Sequence, residues 1–178
     1  MKCAYRVGIV GHRFLGKRET EDFVINRCRS ILAFTRLENP DLVAVSALAE
    51  GADTYFAQVA ISLGIPLQVV RPFSVYGDDF VTDATRQTYQ DLRSGALHEE
   101  ILSFRERSED AYYAAMQWVV SHSDLLIAVW DGKPSRGRGG TADAVRQVCE
   151  LQRAWIHLDV TNHSQYSYGI HGKGIQMA

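Results

Sequence analysis

The chain has 178 residues, with 19 Lys and Arg against 21 Asp and Glu and a formal net charge of −2. This length fits one domain and buries about 70% of the unfolded chain's surface, so no covalent staple is needed. The slight acidity argues against a general nucleic-acid partner or a membrane surface. Cys3, Cys28 and Cys149 are scattered without a C-x-x-C pair, which argues against a disulfide framework or a zinc site. Residues 1–6 show no signal-peptide pattern, and no apolar run approaches the ~20 residues of a membrane span. These features lead us to expect a cytoplasmic protein without a metal or resident cofactor.

Strand and helix signals alternate. Tyr5 to Val10 is an apolar run ending at Gly11, a buried strand. Val24, Ile25, Cys28, Ile31 and Leu32 recur at helical spacing between Thr20 and Leu37. Leu42 to Val45 is a second strand. Ala52, Phe56, Val59, Ala60 and Leu63 form a helical stripe stopped by Gly64 and Pro66. Leu67 to Val70 is a third strand, ended by Pro72. Asp79 to Arg93 is predicted helical up to Gly95, and Ala96 to Phe104 fits either a short strand or a loop. Ser108 can cap a helix that buries Tyr112, Ala115, Met116 and Val119. Leu125 to Trp130 is the fourth main strand. Thr141 to Gln152 is a helix with Val145, Val148 and Cys149 inward, and Trp155 to Leu158 is the last strand. This order predicts an α/β fold: one Rossmann-like, three-layer domain over residues 1–160 with a mostly parallel sheet. Residues 161–178 are expected to be a polar tail, either disordered or forming an interface.

In such folds ligands bind at the carboxyl ends of the strands. After the first strand stand Gly11, His12 and Arg13; after the second, Ser46, Glu50, Gly51 and Asp53; after the third, Arg71 and Phe73. After the fourth come Trp130, Asp131 and Gly132, then Gly139, Gly140, Thr141 and Asp143. Backbone N–H groups at a glycine-rich helix start suit an anion. Arg13, Arg71, Arg136 and Arg138 offer bidentate phosphate contacts. Glu50, Asp53 and Asp143 can accept from ribose hydroxyls or base amines, and Phe73 and Trp130 can stack on a base. Structural roles stand beside these: tight turns for Gly11 and Gly51, a helix start for Asp53, packing for Trp130, and a solvated loop for Lys133, Arg136 and Arg138. His12 is the histidine best placed for function, and the others lack metal-ligand spacing.

Two familiar motifs are incomplete. Gly11 to Lys17 matches G-x-x-x-x-G-K, but Arg18 replaces the Ser or Thr that binds Mg²⁺. The first turn lacks G-x-G-x-x-G, and Ser46 stands where an acid would meet a ribose hydroxyl.

Three segments together resemble the SLOG superfamily: Gly11-His12-Arg13, Ser46 to Asp53, and Trp130-Asp131-Gly132 through Gly139-Gly140-Thr141-Ala142-Asp143. This superfamily includes LOG-type phosphoribohydrolases, the DNA-processing protein DprA and ligand-sensing domains of bacterial defence systems. The resemblance spans about Tyr5 to Asp159. It implies a homo-oligomer that binds a nucleotide or nucleotide-derived signal, cyclic or ADP-ribose-like, as a sensor or sequestering protein. It also implies an alternative, an N-glycosidic hydrolase or transferase acting on nucleoside monophosphates, with Asp143 or Glu50 as the acid. LOG-type enzymes carry P-G-G-x-G-T-x-x-E. Ala144 stands at the Glu position here, and Asp143 is one residue, ~100°, out of register. A third possibility is an interaction module that keeps only the fold.

Overall fold

A computed structural model describes residues 4–135 and 137–169. The element order is β1 (Arg6–Gly11), α1 (Arg18–Glu38), β2 (Val43–Ser46), α2 (Ala52–Ser62), β3 (Leu67–Phe73), a 3₁₀ turn (Tyr76–Asp79), α3 (Asp83–Ser94), β4 (His98–Phe104), α4 (Glu109–Ser121), β5 (Leu125–Trp130), α5 (Thr141–Glu150), β6 (Ala154–Asp159) and β7 (Ser164–Tyr168). The strands form one sheet in the order β4-β3-β2-β1-β5-β6-β7. Every pairing is parallel except β6 with β7.

The period-two alternation of each strand divides the core in two. Val7, Ile9, Val69, Ile127, Val129, Ile156 and Leu158 face a cluster that includes Val24, Cys28, Ile31 and Leu32 of α1 and Phe56 and Val59 of α2. Val10, Val45, Val70, Leu126, Ala128 and Trp155 face Met116, Val119 and Val120 of α4 and Ala144 and Val148 of α5. Both faces of the sheet are therefore covered, which is why the strands read as continuous apolar runs. Ile127 is fully buried at the centre; truncating it to Ala removes contacts worth about 2–5 kcal/mol.

The chain order creates a switch point. From β1 the chain steps outward through β2, β3 and β4, then returns to β5 beside β1 and steps the other way. The strands stay paired to their carboxyl ends, but the connections leaving β1 and β5 run to helices on opposite faces of the sheet, which opens a crevice.

Four local expectations change. The helix expected from Asp79 begins at Asp83: Phe80 is drawn into the aromatic core, stacked 4.6 Å from Tyr89, and Thr82 caps α3 by accepting from the Thr85 amide at 3.1 Å. The ambiguous segment after Ala96 is the parallel edge strand β4. Cys149, expected inward, is exposed, because the buried stripe of α5 runs through Ala144 and Val148. The sheet does not stop at residue 160: β7 pairs antiparallel with β6, and Tyr168 stacks 4.3 Å from Trp155. The rest of the expected tail, 170–178, lies outside the described residues, as does Cys3. Ser108 does cap α4, accepting from the Ala111 amide at 3.1 Å. Among the described residues no helix is long and apolar enough to cross a membrane.

Candidate functional site

A cleft of about 720 Å³ opens at the switch point. This volume falls within the usual range of small-molecule sites. One wall is the β1–α1 loop with Gly11, His12, Arg13 and Phe14. The opposite wall is the β5–α5 loop with Trp130, Asp131, Lys133, Pro134, Ser135 and residues 137–142. Ala47, Ala49, Asp53, Pro72, Tyr76, Tyr112, Ala115 and Met116 add to the lining.

The glycines are dictated by close approach. A Cβ on Gly11 would lie 2.6 Å from the Ala52 Cβ and 2.7 Å from the Val129 Cβ, so the β1 end can pass between α2 and β5 only without a side chain. Gly139 has φ +87°, and a Cβ there would meet the Tyr113 Cα at 2.9 Å. These contacts seat the β5–α5 loop on α4.

Asp143 does not face the cleft. Its Oδ2 accepts from the Gly139 amide at 2.9 Å, and its Oδ1 lies 3.2 Å from Arg146 Nη2. The acid thus closes the loop on itself. The Asp143 and Ala144 amides turn inward to the Gly140 carbonyl at 3.0 and 3.3 Å. Among the described residues, the amides of Gly140, Thr141 and Ala142 have no protein acceptor, and all three residues line the cleft. These N–H groups sit at the positive end of the α5 dipole.

The β1 and β5 loops are joined across the crevice. The His12 amide donates to the Val129 carbonyl at 3.1 Å. The His12 ring places Nε2 3.2 Å from both the Asp131 amide and the Asp131 Oδ1. Burial acts to raise the Asp131 carboxyl, but the Lys133 amide and the His12 ring outweigh it and hold the group below the usual carboxylate range. Trp130 donates its indole N–H to the Lys133 carbonyl at 2.8 Å and lies 5.5 Å from His157. Its ring both packs and lines the cleft.

Asp53 forms the floor. It is 5% exposed and accepts from the Ser46 hydroxyl at 3.1 Å and the Ala47 amide at 3.2 Å. Burial pushes its carboxyl up to about 6, against the Ser46, Ala49 and Ala47 donors and the nearby Arg13, which all lower it. Ser46 is fully buried and also accepts from the Leu48 amide at 2.9 Å, so it acts within the turn rather than on a ligand.

Arg13 lies over the Tyr112 ring at 5.0 Å, and Arg138 lies over Tyr113 at 4.5 Å while paired with Asp110. Tyr112 donates its hydroxyl to Asp79, which fixes the ring under Arg13. Both guanidinium groups are exposed at the rim.

Other expected site residues lie elsewhere. Arg71 is buried and spent on its own fold: Nη1 donates to the Ser74 carbonyl at 2.6 Å, and Nε and Nη2 meet Glu99 at 2.9 and 3.2 Å. Phe73 is 1% exposed, packed 5.6 Å from Tyr76 and 6.0 Å from Tyr112, with no face left for a base. Gly51 serves a turn, and Glu50 and Gly132 do not line the cleft. Arg136 lies outside the described residues. Conversely, Phe14, Pro72, Tyr112, Ala115 and Met116 line the cleft without having been assigned to it. Tyr112 and Met116 read as core positions from their helical spacing, and only the topology shows that this helix face borders a crevice.

No family model matches the chain, and no curated protein matches it. Solved structures do. DNA processing protein A (DprA) from Streptococcus pneumoniae superposes with a TM-score of 0.62 at 19% identity, over 86% of this chain and 50% of that one. The DprA of Helicobacter pylori, described for its single-stranded DNA binding mode, gives 0.65 at 20% identity, over 89% and 70%. The structural-genomics protein TM1055 gives 0.53 at 12% identity, over 84% and 71%. The chain thus spans half the length of the S. pneumoniae protein. These likenesses correct one expectation, the exclusion of nucleic acid from a net charge of −2. A protein of the same fold is described as binding single-stranded DNA, and a whole-chain charge averages away a local basic rim. Taken with the parallel sheet and its switch-point cleft, the matches establish that this chain has a Rossmann-like fold of the kind found in the DprA proteins and TM1055.

Proposed function

We propose that the cleft binds a nucleotide or nucleotide-derived molecule, holding a phosphate at the start of α5. One observation carries this reading: residues 140–142 line the cleft at a helix N-terminus, and among the described residues their amides have no protein acceptor. Lys133 and Arg138 lie on the same wall and add positive charge, while Pro72, Ala115 and Met116 supply an apolar region for the rest of the ligand. The protein acts as a sensor or a sequestering protein for such a signal. Binding is favoured over N-glycosidic cleavage because neither acid considered for that chemistry is presented. Asp143 is taken up by Gly139 and Arg146, and Glu50 is not part of the lining.

Thr141→Pro is a direct test. Thr141 is the first residue of α5, where proline is tolerated, and Gly140 before it is extended at ψ 174°. The substitution deletes one of these N–H groups and leaves the helix in place. Against a panel of ribose 5-phosphate, nucleoside monophosphates, a cyclic dinucleotide and ADP-ribose, calorimetry should show binding to the wild type. Thr141→Pro should lose about tenfold or more in affinity relative to Thr141→Ala, the scale of a hydrogen bond to a charged group. Equal affinity in the two variants would remove α5 from the site.

A second reading has its own support. Arg13, Lys17 and Arg18 are exposed along the β1–α1 loop and the start of α1, beside the cleft mouth, a suitable track for a phosphodiester backbone. If a single strand is the ligand, affinity for an oligothymidylate should fall steeply and linearly on a log–log salt plot. The small-molecule reading predicts a shallow slope.

A further inference from the structure

We infer that Phe14 is a stacking platform for a planar ring of the ligand, so that the cleft selects phosphate esters carrying a purine or another flat heteroaromatic group. The inference rests on the ligand reading above and adds a determinant of specificity.

Phe14 is 84% exposed, yet it lines the cleft. Among the described residues it is the most exposed aromatic; Tyr166 and Tyr168, on β7, are each 43% exposed. Its backbone is held on both sides. The His12 amide is bonded to Val129, and the Arg13 carbonyl abuts Gly51. Leu15 packs against the main core, and the Lys17 amide bonds to the Leu15 carbonyl at 3.0 Å. Gly16, at φ +80°, completes the turn. A pinned backbone therefore presents a phenyl ring to solvent at the cleft rim. Much of the ordering cost of that loop is met before a ligand arrives, which leaves more of the contact energy for binding. Arg13 is already engaged with Tyr112, so the ring face of Phe14 remains for the ligand. The phosphate-holding amides are on the opposite wall, so a ligand spanning the cleft meets an anion site at one end and an aromatic face at the other.

The test compares ribose 5-phosphate with AMP and UMP on the wild type, Phe14→Leu and Phe14→Trp. Phe14→Leu should weaken AMP about tenfold, within the range of one base–aromatic stack, and UMP less. Ribose 5-phosphate should be unchanged. Phe14→Trp should keep AMP binding, with its emission quenched on saturation. Equal AMP affinity in wild type and Phe14→Leu, or equal weakening of ribose 5-phosphate and AMP, would overturn this inference alone. Failure of the wild type to bind any of the three, or the cyclic dinucleotide and ADP-ribose of the wider panel, would remove the underlying reading and this inference with it.

Discussion

Helices α2 and α5 start at the same edge of the sheet with the same local chemistry, yet they end in opposite states. Each begins at a glycine without a side-chain cap, Gly51 and Gly140, and each carries an acid in its first turn, Asp53 and Asp143. At α2 the start is closed. The Ala52 amide donates to the His12 carbonyl at 3.2 Å, and Asp53 turns back to clamp the Ser46–Ala49 turn. At α5 the acid clamps a residue outside the helix, Gly139, and among the described residues the amides of 140–142, which line the cleft, have no protein acceptor. A glycine cap followed by an acid is therefore not in itself a ligand signal. What matters is whether a neighbouring strand loop occupies the space in front of the helix.

The largest expected effect tests the closed end. Gly51 has φ +82°, and a Cβ there would lie 2.3 Å from the Arg13 carbonyl oxygen and 2.6 Å from that of His12. Gly51→Ala should cost about 3 kcal/mol or more, because strain and backbone collision combine. Gly132 has a similar φ, +77°, with nothing within 4 Å of its would-be Cβ. Gly132→Ala should therefore cost only about 1 kcal/mol. Chemical denaturation of the two variants checks this. Equal losses would mean that backbone strain, not the packing of the β1 loop on α2, closes that helix start.

The next effect is a pH dependence at the same end. Asp53 titrates near 6 in the folded protein, above the ordinary 3.8. The folded state therefore binds more protons than the unfolded state between about pH 4 and 6, and stability falls as pH rises through that window. The contribution is complete below pH 4 and lost above 6, and amounts to roughly 2–3 kcal/mol. Measured as the difference between wild type and Asp53→Asn, this slope should be present in the wild type alone. A difference that is flat across the window would show Asp53 to be ionised at no cost, and the α2 clamp to be an ordinary solvated contact.

The open end is where sequence reading and structure part. The strands of the sheet centre were readable because both faces are buried, and α4 because Ser108 caps it. The edges were not. Half of β4 is solvated, and β7 is polar, so neither shows an apolar run. In the candidate site, Gly11, His12, Gly139, Gly140 and Thr141 were readable because close approach and strand ends leave a local signature. Arg71 was not, because its partner Glu99 lies on the next strand, 28 residues away. Nor was the fate of Asp143, since a helical wheel shows its direction but not that the preceding loop folds back to meet it. Long-range partners decide which charges remain free, and a local pattern does not record them.

The smallest effect examines Asp143 itself. Its carboxylate lies in the first turn of α5, beside the amides proposed to hold an anion, and repels one there. Asp143→Asn keeps an oxygen that can accept from the Gly139 amide, so the loop should retain its shape, while one negative charge is removed. The charge–dipole scale of about 0.3–1 kcal/mol then predicts two- to fivefold tighter binding of inorganic phosphate or a nucleoside monophosphate. The gain should shrink as salt is raised, because the site is open to solvent. If Asp143 instead served as an acid in bond cleavage, the substitution would abolish release of free base without tightening phosphate binding. Calorimetry and a base-release assay on one preparation separate the two. Tighter binding with no base released by either protein would show that the acid moderates affinity at an open helix start, whereas at α2 the corresponding acid seals a closed one.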